Sequence, residues 1–286
     1  MTTPHLLIMN NMKDLITKLR SLELETFPTR EIEEIISKFG ALPVAVTDYD
    51  KGKIIHRARQ INKGQVLSEN HELSFTPDKF NSKYQRASTP EQTMFYGAVI
   101  PEIKGQGELT TERIIGACEV SNLLRDPNTE DGEEIIIFGK WCVKEKITLL
   151  SIISPDMEKN KINFFQEMTR DYHLYLEQLG EQKEDAIAFQ EYMSSEFAKI
   201  DIRGEYDYLI SAKLTENAIR NCDGVIYPSV RADYNGLCVA IKPKSATEKL
   251  ELISVLECSI SKKNKNVRIT NLRFTDKINN GKFELK

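Results

Sequence analysis

The sequence predicts an α+β fold, a mixed or antiparallel sheet with flanking helices and an amino-terminal helical extension. Three observations predict it. Runs rich in β-branched and aromatic residues recur along the chain, most clearly at Glu134–Val143, and read as strands. Apolar residues at three- and four-residue spacing mark helices near the start of the chain and again in its middle. Between residues 223 and 241, a strand-like run, a Gly-containing turn and a second run carry the signature of a hairpin.

In order, Met12, Leu15, Ile16, Leu19 and Leu22 make one helical stripe, and Ile32, Ile35, Ile36 and Phe39 a second. Pro28–Glu31 reads as the start of that second helix and Gly40 as its stop. The pair forms a hairpin packed on the main domain. A strand is expected at Leu42–Val46 and another at Lys53–Arg59, where Arg57 and Arg59, two apart, share a face. The polar stretch from Gln60 to Lys83 reads as a surface loop, and Met94–Val99 as a buried strand. Pro101–Thr111 reads as a loop that opens a helix at Thr110 or Thr111, with Ile114, Ile115, Cys118 and Leu123 available for burial and Glu119 set among them. Strands follow at 134–143 and 149–153, then helices at 163–179, 184–198 and 206–220. The 223–241 hairpin presents Ser229 and Arg231 at its mouth. Leu252–Leu256 and Val267–Phe274 close the chain as a second hairpin around a Lys-rich turn at 262–265, read as solvated.

Composition narrows the function classes. With 286 residues and 40% hydrophobic content, the chain buries a core without help from metal or disulfide. A net charge of -4 argues against a direct nucleic-acid surface, which needs a basic stripe to displace counterions. The five cysteines are scattered through apolar runs without a CxxC pair, and the four histidines lack ligand spacing, so we expect reduced thiols and no metal site. No apolar run is long enough for a bilayer, and the first residues lack the basic and apolar regions of a signal peptide. A cytoplasmic protein without membrane contact is the expectation.

The chemistry-bearing stretch is KYQRASTPEQTMFY, Lys83–Tyr96. It sets Arg86, a fork suited to phosphate, before a core strand carrying Tyr96, an aromatic suited to a heterocycle or sugar. Two stretches, QRASTPEQTMFYGAV and DGVIYPSVRADYNGLCVAI, preceded by HRAR and separated by the acid of IIGACEVS, together resemble the RES domain, named for Arg, Glu and Ser. The resemblance spans about residues 50 to 245. It implies an ADP-ribosyltransferase-like core and a division into a helical extension at 1–45, a NAD-binding catalytic domain at 46–245 and a β-rich extension at 246–286 packed on the same domain.

Members of that family bind NAD in a cleft. They act as toxins that consume it by hydrolysis or phosphorolysis, and some transfer ADP-ribose to a protein instead. The resemblance places Arg57 at the family's first arginine, Arg86 at the arginine of its Gly-Arg-x-Asn segment, Tyr96 at the strand tyrosine, Glu119 at the helix acid and Ser229 at the serine of its Tyr-Pro-Ser motif. It implies catalytic roles for Glu119, Arg86 and Tyr96, and NAD binding by Arg57, Arg86, Tyr96 and Ser229. NAD enters as substrate, with no metal. Gln85 and Ser88 depart from the family's Gly and Asn. The long interval between Tyr96 and Glu119 leaves Glu108 and Glu112 as alternative acids. An antitoxin, a protein acceptor and a homodimer stand as candidate partners, and a non-catalytic NAD sensor or interaction module as the alternative to an enzyme.

Overall fold

A computed structural model describes residues 12–40, 44–99, 111–126, 128–154, 157, 163–232, 234 and 236–286, with the side chains of 111–113 and 163 left out of the description. Among the described residues, nine strands make one sheet: β1 (Val46–Tyr49), β2 (Ile54–Ile61), β3 (Phe95–Val99), β4 (Gly132–Val143), β5 (Ile147–Ser151), β6 (Gly224–Pro228), β7 (Leu237–Ile241), β8 (Leu250–Lys263) and β9 (Asn266–Thr275). Their order across the sheet is β1-β5-β6-β7-β3-β2-β4-β8-β9. Every neighbouring pair is antiparallel except β5 and β6. Eight α-helices among the described residues flank it: α1 (Met12–Arg20), α2 (Thr29–Ile36), α3 (Thr111–Val120), α4 (Asn122–Arg125), α5 (Asn163–Leu176), α6 (Lys183–Phe197), α7 (Leu209–Ala218) and α8 (Pro243–Lys249). The fold is therefore α+β with a mixed sheet.

The pleat divides the core. On β4, Ile136 and Phe138 join Ala117 of α3 and Cys258 and Ile260 of β8 in one cluster, while Ile137 and Trp141 face the opposite way, toward Phe95, Leu149, Val239 and Phe165. The amino-terminal helices belong to the same packing. Leu15 and Leu19 of α1 and Ile32 of α2 share a cluster with Phe189 and Tyr192 of α6, Leu214 of α7 and the sheet residues Leu150, Val225 and Ala240. Lys213 of α7 reinforces this by bridging Glu33 of α2 at 2.9 Å and Glu216 of its own helix at 3.0 Å.

Several boundaries differ from the sequence reading. The first strand starts at Val46 and runs to Tyr49, whereas 42–46 was the expected span, of which 42 and 43 lie outside the described residues. The 206–220 helix is a single 3-10 turn, Glu205–Tyr208, followed by α7, which stops at Ala218. The helix expected at 163–179 stops at Leu176, where 3-10 geometry takes over near Gly180. Ile114 is exposed, because α3 turns Ile115 and Ala117 to the sheet instead. Of the 60–83 stretch, Gln60 and Ile61 finish β2, and the loop after them carries two 3-10 turns and buries Leu67 and Leu73. The closing hairpin turns through Asn264 and Lys265, both with positive φ, as a two-residue turn requires. Its Lys262 is not solvated: the ammonium donates to the carbonyls of Leu123 and Asp126 at 3.0 and 2.8 Å. Among the described residues, no helix is long and apolar enough to cross a membrane.

Candidate functional site

A row of directly opposed residues crosses four strands in the middle of the sheet: Tyr227 on β6, Cys238 on β7, Ala98 on β3 and His56 on β2. Opposed residues share a face, so these four form a floor with small side chains at its centre and larger ones at its ends. Above it lies a cavity of about 350 Å³ that is also bordered by Arg57, Gln85, Arg86, Tyr96, Glu119, Tyr208 and Arg231. Two small contacts seat α3 over this floor. A Cβ on Gly116 would stand 3.3 Å from the Cβ of Ala58 on β2, and one on Gly236 would collide with Ile115. Close approach at both points carries the last turn of α3, with Glu119, to the mouth of the β6–β7 hairpin.

There Glu119 is held from several sides. Ser229, at the end of β6 and fully buried, donates its hydroxyl to Glu119 Oε1 at 2.7 Å and accepts the Ala232 N–H at 3.2 Å. The Cys238 thiol donates to the same Oε1 at 3.6 Å. Glu119 Oε2 stands 3.9 Å from Arg231 Nε. The Glu119 main-chain carbonyl, at the carboxyl end of α3, accepts from Arg231 at 3.0 Å and from Arg125 at 2.6 Å. Two guanidinium groups thus meet the negative end of that helix. Burial, with the Glu119 carboxylate adding to it, pushes the Cys238 thiol well above its ordinary range, so it stays protonated and a donor.

The Arg86 loop is a double tight turn. Gln85 and Ser88 pair through their backbones, as do Thr89 and Gln92. Ser88, fully buried, meets the Tyr96 hydroxyl at 2.9 Å and accepts from the Met94 N–H at 2.9 Å, while the Ala87 N–H donates to the same tyrosine oxygen at 3.0 Å. Burial pushes Tyr96 up to about 12, so it remains a neutral phenol. Arg86 is buried, and its fork donates to the carbonyls of Phe197 and, at 2.9 Å, Lys199, at the end of α6. Its guanidinium lies 5.5 Å from the ring centroid of Tyr208.

Arg57 is placed differently from the rest. Because His56 opposes Ala98, Arg57 leaves β2 on the face away from the floor row. Its guanidinium donates to the Tyr96 carbonyl at 2.7 Å and lies 5.2 Å from the centroid of Phe95. Strands β2 and β3 pair at a single position, and Arg57 supplies a hydrogen bond where the ladder lapses. Burial, with Arg59 adding to it, pushes Arg57 down to about 10, still cationic at neutral pH.

The structure thus brings Arg86, Tyr96 and Glu119 to one cleft, with Ser229 bonded to Glu119, while Arg57 borders the cleft from β2 and turns its guanidinium to the other face of the sheet. The alternative acid Glu108 lies outside the described residues, as does the side chain of Glu112. Sequence reasoning did not single out Tyr208, Tyr227, Cys238, His56 and Arg125. Tyr227 and Cys238 were reachable from the hairpin register, since residues opposed across a hairpin share a face. Tyr208, on a different element, has no local signal. Among the described residues, no group of three or more His, Cys, Asp and Glu is placed to hold a metal ion. The chain matches no protein-family model and no curated protein.

Proposed function

We propose that the protein is an NAD-consuming enzyme of the RES type, with an ADP-ribosyltransferase-like core, that cleaves the bond between nicotinamide and C1′ of its ribose. The observation that carries this reading is the convergence, over one floor, of a carboxylate held by a serine hydroxyl with guanidinium and tyrosine groups from four other parts of the chain. In such a cleavage the glycosidic electron pair leaves with the pyridine nitrogen and positive charge develops on the ribose. A fixed carboxylate stabilises that charge, and water or phosphate then bonds to C1′. Glu119 takes this role, and Ser229 orients it. Arg231 offers its cation to a ligand phosphate, and the Tyr96, Tyr208 and Tyr227 rings offer faces to a heterocycle. Arg57 and Arg86 add positive field to the cleft while their forks hold protein carbonyls. At about 350 Å³ the cavity sits near the lower end of the roughly 300–1,000 Å³ usual for ligand sites, a size suited to the nicotinamide ribosyl half.

The test is product analysis. Purified protein is incubated with NAD in phosphate-free and phosphate-containing buffer, and nicotinamide, ADP-ribose and ADP-ribose-1″-phosphate are separated; labelled NAD with lysate reports transfer to protein. Release of nicotinamide by the wild type and its loss in Glu119→Gln are expected. No nicotinamide under any condition would sink the reading. Growth arrest on expression, relieved by Glu119→Gln, addresses the toxin role.

One observation favours a second reading, a non-catalytic nucleotide sensor. The Arg86 fork and the Tyr96 hydroxyl are both engaged by the protein itself. Tight 1:1 NAD binding without turnover would establish it.

A further inference from the structure

The reading above leaves open which carboxylate oxygen of Glu119 works and what holds the other. We infer that Ser229 and Cys238 form a two-donor cradle that fixes Oε1 of Glu119 and leaves Oε2 as the oxygen that faces the reacting ribose, with Cys238 as a positioning residue. The inference rests on the proposed reaction for its kinetic arm only.

The geometry is asymmetric. Oε1 receives the Ser229 hydroxyl at 2.7 Å and the Cys238 thiol at 3.6 Å. Oε2 has Arg231 Nε at 3.9 Å, too far for a hydrogen bond. Neither donor can swing away at little cost. Ser229 is locked by the Ala232 N–H on its oxygen and by its own backbone, whose N–H donates to Gly236 at 2.9 Å. Cys238 lies in the middle of β7 with its backbone committed to β3 and β6, and is 3% exposed, so its sulfur is sealed against the carboxylate. A carboxylate only accepts, so the sulfur donates its proton. The thiol's raised pKa keeps that proton in place. Two donors on one oxygen hold the carboxylate's plane. The incoming ribose therefore meets a fixed lone-pair direction on Oε2.

Cys238 is not among the residues to which the resemblance gives a role, and alanine, serine and cysteine differ in what they predict there. Removing the thiol proton leaves Oε1 with one donor, so the carboxylate loses one of the two bonds that favour its charged form. The expected result for Cys238→Ala is an acidic limb of kcat/KM displaced upward by some tenths of a pH unit to about one, with kcat lowered about threefold to tenfold and KM for NAD little changed. Cys238→Ser retains a hydroxyl donor and is expected to bring limb and rate back toward wild type. An independent arm titrates the Glu119 carboxyl carbon by NMR in wild type, Cys238→Ala and Cys238→Ser, with Glu119→Gln assigning the signal. Thermal unfolding of each variant checks that it is folded.

A titration shift in Cys238→Ala that Cys238→Ser reverses supports the cradle whether or not NAD is cleaved. If NAD is not cleaved by the wild type, the proposed reaction falls and the cradle stands on the titration alone. A folded Cys238→Ala with neither displacement overturns the cradle, even with NAD turnover intact. Equal displacement in the alanine and serine variants also overturns it, because packing rather than the donated proton would then be responsible.

Discussion

Ser229 has one hydroxyl proton, and across the 2.7 Å contact with Glu119 it is the serine that donates, because a carboxylate only accepts. The same oxygen accepts the Ala232 N–H. Ser229→Ala is expected to leave the fold intact, since β6 and the turn keep their backbone bonds, but to lower kcat for NAD cleavage about tenfold to a hundredfold, the loss associated with one hydrogen bond to a charged group. Steady-state kinetics beside a thermal melt checks this. Asp223 shows the same principle in a structural role. It accepts from Lys249 at 2.8 and 2.9 Å, from Ser245 at 2.6 Å and from the Thr148 N–H at 2.9 Å. Burial alone would raise its pKa, but Lys249, Ser245 and Thr148 outweigh burial and hold it below the ordinary value. A carboxyl depressed in the folded state binds its proton more readily when unfolded. Its stabilisation is therefore complete above the ordinary carboxylate pKa of about 4 and is lost as pH falls through the lower folded value. Asp223→Asn is expected to destabilise by about 1–3 kcal/mol at neutral pH and to remove this contribution to acid sensitivity below about pH 4, as measured by denaturant melts across pH.

At the scale of elements, the Arg86 loop and α6 are one unit. The loop presents a guanidinium to the carbonyl end of the helix, where unpaired acceptors and the negative pole of the helix coincide. Arg86→Met would strand those carbonyls in a buried place, and we expect a loss of about 2–4 kcal/mol, or about 5–10 °C in melting temperature. An unchanged melt with lost NAD binding would instead assign Arg86 to the ligand alone. Much at this scale was legible beforehand. The β-branched run at 134–143 is β4, and the two stripes before Gly40 are α1 and α2, because periodicity reports burial directly. The expected single helix at 206–220 was not recoverable in detail. Tyr206 and Tyr208 fit its stripe, yet the Asp207 carboxylate accepts from the Arg203 N–H, which holds that turn in 3-10 geometry.

For the whole molecule, the amino-terminal helices complete the core. Ile32 is fully buried in the cluster that also holds Phe189, Tyr192 and Leu214. Ile32→Ala is expected to cost about 2–5 kcal/mol, and removal of residues 1–40 to leave α6 and α7 exposed and the chain unable to give a cooperative melt. A sharp melt from the truncated chain would show that the sheet supports itself. One candidate site residue and one loop residue changed meaning at this level. Arg57 read as sharing a face with Arg59, and the resemblance assigned it to NAD; the opposed pair His56 with Ala98 puts its side chain on the face away from the cleft floor, where it meets the Tyr96 carbonyl. Ser88, read as a loop residue, is fully buried and meets the Tyr96 hydroxyl.

By itself the sequence determined most of the elements and the α+β class, and a resemblance to a family supplied the short list containing Arg57, Arg86, Tyr96, Glu119 and Ser229. The elements depend on local periodicity, turn chemistry and residue type, which a chain carries wherever it goes. Only the tertiary structure decided that Glu119 meets Ser229 and Cys238, that Tyr208 and Tyr227 border the same cleft, and which forks remain turned toward protein carbonyls. Those facts depend on strand register and on the close seat of α3 at Gly116 and Gly236. Register is set by packing across the whole sheet, and a shift of one residue would send every side chain of a strand to the other face.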